Sequence, residues 1–131
     1  MIIRLLFFIS LLFILLSDYS VAFERENNIF GLEGTILGKV YLDENNNGYQ
    51  DEEDRGIEGV VIIMENGIIV ITGPEGKYSI TNIKGGFHVL KLDDWTLPPG
   101  IVLISEDERT KFINLPAGGS GHVDFIVKED L

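Results

Sequence analysis

Within the twelve residues Asp43-Glu44-Asn45-Asn46-Asn47-Gly48-Tyr49-Gln50-Asp51-Glu52-Glu53-Asp54, oxygen-bearing side chains recur at alternate positions around a single glycine. Alternate residues of a turning loop face one centre, and Ca²⁺ takes six to eight oxygen ligands, so the spacing matches the twelve-residue calcium loop. Asp43, Asn45 and Asn47 fill its positions one, three and five. Gly48 stands at six, where the chain turns sharply, and Tyr49 at seven would offer its backbone carbonyl. Asp51 fills nine and Asp54 fills twelve. There are two departures. Gln50 stands at position eight, normally apolar, and Asp54 is one methylene shorter than the usual glutamate, which predicts a weaker site. The alternative, an acidic Asn-rich turn holding no ion, stays open at this point.

Other chemistry-bearing residues read more blandly. His88 and His122, the only histidines, fall inside predicted strands and are expected to be packed or surface side chains. Ser79, Ser105 and Ser120 lack the strand–turn–helix context of a catalytic serine, and no enzyme activity is expected. Trp95, the only tryptophan, is expected to plug the core at a strand end. A sugar-stacking face is the competing reading, and several exposed aromatics on one face would be its mark.

The elements that must hold the loop are strands. From Thr35 onward, short β-prone runs alternate with turn residues at intervals near ten. They are Thr35–Leu42, Ile57–Glu65, Ile68–Thr72, Lys77–Thr81, Phe87–Leu92, Ile101–Ile104, Thr110–Leu115 and His122–Val127. Asn66-Gly67 between two Val/Ile-rich runs predicts a type I′ hairpin, with positive φ at both residues. Val60 to Met64 is apolar on both faces and suits a central strand, while Val123, Phe125 and Val127 form one buried row. Gly118-Gly119-Ser120-Gly121 is expected to be mobile. The pattern predicts an all-β fold, an antiparallel sandwich of seven or eight strands in one module over residues 34–131.

Ahead of it, Arg4 precedes the apolar run Leu5–Leu16, with small residues at Ser20 and Ala22. The run is short of the roughly 20 residues a permanent membrane helix needs. Residues 1–22 are therefore expected to be an N-terminal signal peptide, cleaved before Phe23, and residues 23–33 a flexible lead-in. The competing reading is an uncleaved anchor, the only route to membrane contact.

Composition closes off several classes. The chain of 131 residues has no cysteine, which excludes disulfides and thiolate chemistry. Ten basic against twenty-one acidic residues leave a net charge of −11, which repels nucleic acid.

Taken together, Gly38-Lys39-Val40-Tyr41-Leu42-Asp43, the Asn45–Gly48 and Asp51–Asp54 segments, Gly56-Ile57-Glu58-Gly59-Val60 and Gly76-Lys77-Tyr78 resemble the B-type repeat of serine–aspartate-repeat surface adhesins, the SdrD B-like family. The resemblance covers about residues 34–127. It implies an immunoglobulin-like or transthyretin/Cna-B-like β-sandwich with structural calcium on Asp43, Asn45, Asn47, Tyr49, Asp51 and Asp54. It also implies an extracellular or cell-envelope location and a structural or adhesive role, with an extracellular protein or glycan as partner. A carbohydrate-binding module is the alternative. Related collagen-adhesin B-type sandwiches join a first-strand lysine to a last-strand Asn or Asp. Lys39 and Asp124 stand at such places, and Lys39 is expected to be an exposed strand residue instead.

Overall fold

The structure, a computed structural model, describes residues 32–51 and 54–130. The expected signal segment, its expected cleavage point and nearly all of the expected lead-in lie outside the described residues.

Strand β1 (Glu33–Leu42) is the spine of the first sheet. Its even positions Ile36, Val40 and Leu42 are buried, and the odd positions Leu37 and Lys39 face outward, the period of two that a pleated strand imposes. It begins at Glu33, two residues before the expected Thr35. The remaining strands are β2 (Val61–Met64), β3 (Ile69–Ile71), β4 (Lys77–Lys84), β5 (Gly86–Asp93), β6 (Ile101–Leu103), β7 (Thr110–Leu115), β8 (Ser120–His122) and β9 (Phe125–Glu129). One sheet has the order β4-β1-β9-β6, with β8 also on β1, and the other has the order β3-β2-β5-β7. Their inner faces enclose one core of Ile36, Val40, Leu42, Ile62, Met64, Leu90, Leu92, Leu115, Phe125 and Val127 among others. The sandwich is antiparallel except where β1 meets β8 and β9, which run parallel to it.

Four local expectations are corrected. The run Ile57–Glu65 is a strand only over Val61–Met64. Over the preceding residues the buried Thr72 hydroxyl donates to the Ile57 carbonyl (2.7 Å) and accepts from the Val60 N–H (2.9 Å), occupying positions a neighbouring strand would fill. The β2–β3 hairpin is not type I′. Gly67 donates to the Met64 carbonyl and Met64 to the Ile68 carbonyl, both at 2.9 Å, closing a three-residue loop in which Gly67 alone has positive φ.

The last run splits into β8 and β9. Between them the Asp124 carboxylate, in place of a backbone carbonyl, accepts the Lys39 N–H at 2.8 Å. The Gly118–Gly121 stretch is tied down. Its Gly119 carbonyl accepts from Thr35 at 3.0 Å, and Ser120 and Gly121 pair with β1.

Candidate functional site

The loop after β1 is closed at its stem by backbone hydrogen bonds. Leu42 donates to the Arg55 carbonyl (2.8 Å), Ile57 to Val40 (2.9 Å), and Asp43 to Val127 of β9 (3.0 Å). The stem therefore sets Asp43 and Asp54, the first and last loop positions, beside one another at the rim of the core.

Both are nearly buried, Asp43 at 4% and Asp54 at 5% exposure. Asp43 accepts the Gly48 N–H at 2.6 Å and the Asn47 N–H at 3.3 Å. Asp54 accepts the Glu44 N–H at 3.1 Å and the Asp51 N–H at 3.0 Å. Asp51 accepts both amide groups, from Asn45 at 2.5 Å and Asn47 at 2.7 Å, through one oxygen. Its other oxygen is shielded from solvent and has no hydrogen-bond partner among the described residues. Asn45 and Asn47 turn their own oxygens to the N–H groups of Asn47 (3.2 Å) and Tyr49 (2.8 Å). Tyr49 is 76% exposed.

Positive φ at Asn46 (59°) and Gly48 (79°) winds the chain round this point. The neighbouring Tyr41 hydroxyl is pushed up to about 12, first by burial and then by the charges of Asp124, Asp43 and Asp54. All six expected residues thus share one loop and one hydrogen-bond net. Among the described residues no three carboxylate or imidazole groups converge as a ready-made metal cage. Glu52 and Glu53 lie outside the described residues.

Elsewhere the reading changes. Trp95 is not a core plug but 94% exposed. The turn after β5 explains it. Asp93 accepts the Trp95 backbone N–H (3.2 Å), and the Thr96 hydroxyl accepts the Val61 N–H (3.0 Å), so Thr96 and Leu97 turn inward and the indole outward. Phe87 and Phe112 are also exposed, on the outer face of the second sheet. Parity in β5 carried that signal, because Leu90 and Leu92 inward place Phe87, Val89 and Lys91 outward.

His88 bridges two acceptors, Glu65 on Nδ1 and the Lys84 carbonyl on Nε2 (2.6 Å). His122 pairs with Asp124 at 2.8 Å. What Asp124 takes from Lys39 is its backbone N–H.

Comparison with known proteins agrees with this fold. The family model described as "SdrD B-like domain" matches residues 34–111. Serine-aspartate repeat-containing protein D of Staphylococcus aureus (strain Newman) is 36% identical over 66 residues, 47% of this chain and 5% of that protein. The minor pilin GBS52 of Streptococcus agalactiae superposes with a TM-score of 0.60 at 13% identity, covering 78% of this chain and 47% of its own. The major pilin SpaD of Corynebacterium diphtheriae gives 0.56 at 13% identity, covering 76% and 33%. These structural likenesses speak to the β-sandwich fold.

Proposed function

We propose that this chain, which belongs to the SdrD B-like domain family, is an exported, surface-located structural or adhesive module whose Asp43–Asp54 loop binds and is rigidified by Ca²⁺. One observation carries the calcium reading. Asp43 and Asp54 are more than nine-tenths buried, and their hydrogen-bond partners among the described residues are backbone N–H groups. Burying a carboxylate away from water costs several kcal/mol per charge even after relaxation, and a bound divalent ion would offset that cost.

The ligands would be the carboxylates of Asp43, Asp51 and Asp54, the amide oxygens of Asn45 and Asn47, and the Tyr49 carbonyl. The second Asp51 oxygen, which has no hydrogen-bond partner among the described residues, would be free to take the cation. With Asp54 in place of glutamate, Kd is on the order of 10⁻⁴–10⁻³ M, the range of extracellular modules. Export by residues 1–22 supplies the millimolar calcium such a site needs.

Thermal melting tests this. Calcium at ten times its Kd adds about 1.4 kcal/mol to the folded state, a rise of roughly 4–8 °C per kcal/mol for a domain of this size. Asp43→Ala should abolish the shift while the domain still folds in chelator. Equal wild-type melting temperatures in chelator and in calcium would reject the calcium reading. A shift retained by Asp43→Ala would move the ion to another site.

A second reading, a carbohydrate-binding module, is favoured by a specific observation: Trp95, Phe87 and Phe112 stand exposed on one side of the second sheet. Saturable binding of an oligosaccharide to the purified chain would support it, and the lack of any binding would remove it.

A further inference from the structure

The outer face of the second sheet carries apolar side chains from all four strands, with Lys91 and Asp93 of β5 set among them. Phe112 lies opposite Val89, one diagonal step from Phe87. Ile69 and Ile71, 63% and 61% exposed, continue the face through β3, and half-buried Ile63 and Val61 lie beside them on β2. Contiguous apolar faces left in water mark binding surfaces. From Phe87 to Asp93 the face runs six strand steps, roughly 20 Å.

Trp95 closes one end of this row, and its placement is built. The Asp93 carboxylate holds its backbone N–H, the Thr96 hydroxyl donates to the Asp93 carbonyl, and Val61 of β2 donates to that same hydroxyl. The indole is thus presented on a fixed turn, at little ordering cost on binding. Ile63, Lys91, Asp93, Asp94 and Arg109 line a groove of about 510 Å³ beside it.

The groove's charges balance, two carboxylates against two cations, with Arg109 already held on Asp94 at 3.0 Å. Such a site offers hydrogen-bond donors and acceptors in equal measure around an aromatic plate. It suits a ligand with a C–H face and a hydroxyl rim, which is a sugar ring. The net charge of −11 disfavours an anionic polymer, and the length of the row suits several rings in a line.

We propose that Trp95, its groove and the Phe112–Phe87 row form a binding face for a neutral, linear, β-linked polysaccharide; this rests on the carbohydrate-binding reading and names its site and ligand. The test is titration of cellohexaose and chitohexaose into the purified chain, followed by calorimetry and by the fluorescence of Trp95, the only tryptophan. Wild type should bind at least one of the two saturably, with a change in emission. Trp95→Ala should weaken binding by about tenfold or more, by analogy with ring stacking in nucleic-acid grooves. Phe112→Ser should weaken it too, while Leu37→Ala on the opposite sheet leaves it unchanged.

Because Trp95 and Phe112 are exposed, both variants should melt like wild type, which separates lost binding from lost folding. Undiminished binding by both variants would overturn the site and leave the carbohydrate reading standing. Failure of wild type to bind either oligosaccharide would overturn both. A concentration-dependent dimer that Phe112→Ser dissolves, with no sugar binding, would reassign the face to a second copy of this chain.

Discussion

Both ring nitrogens of His88 face acceptors, and only the imidazolium carries two N–H donors. Glu65, from the β2–β3 turn, is the charged group in contact. Lys84, at the β4–β5 corner, brings its carbonyl, and Ile113, opposite on β7, brings no charge. Burial opposes the His88 charge, but the bonds to Glu65 and to the Lys84 carbonyl outweigh it and raise the pKa. Burial likewise acts to raise the Glu65 pKa, yet the bonds from His88 and from the Val89 N–H lower it overall. For a raised histidine, the stabilisation is complete below its unfolded value of about 6.5 and is lost as pH climbs through the folded value. For the lowered glutamate, it is present above about 4.3 and lost as pH falls through the folded value. The melting-temperature gap between wild type and His88→Gln should therefore be widest between these limits and close toward pH 9. A gap independent of pH would show that the imidazolium is not what stabilises. None of this was legible beforehand, since a histidine's partners depend on which corners meet. That Asp43, Asn45, Asn47, Tyr49, Asp51 and Asp54 gather in one loop was legible because their spacing lies within twelve consecutive residues.

At the scale of elements, Thr72 decides where β2 starts. Its hydroxyl serves a buried carbonyl and a buried N–H together, at 2.7 and 2.9 Å. Thr72→Val keeps the shape and deletes both bonds, so the domain should lose about 2–3 kcal/mol in urea or thermal unfolding. A loss under 0.5 kcal/mol would mean that water replaces the hydroxyl. Apolar patterning alone marked residues 57–60 as strand, and it could not register a hydroxyl that ties Ile57 and Val60 alongside the backbone bonds of Thr72. Trp95 misled for a related reason. Its exposure is set by the Asp93 and Thr96 bonds of the turn, which hydrophobicity does not report. Strand parity, by contrast, was readable in β1 and β9, where inward Ile36, Val40, Phe125 and Val127 alternate with outward neighbours.

For the whole molecule, regular turn spacing disclosed the sandwich, but not which strands are neighbours. The pairing of β1 with β9 joins residues some 85 positions apart, and no local period encodes it. That pairing has a consequence when tension is applied. Because β1 and β9 run parallel, pulling Glu33 and Glu129 in opposite directions slides the strands past each other. The ladders from Thr35 to Leu42 then bear the load together, in shear, instead of opening one rung at a time. Pulling across the β2–β3 hairpin instead peels an antiparallel pair from its end. Single-molecule stretching through handles at residues 32 and 130 should give a markedly higher rupture force than stretching across that hairpin. Equal forces would mean that the terminal strands part before they shear. A module on a surface swept by flow would then owe its grip less to its depth of stability than to the direction in which its first and last strands lie.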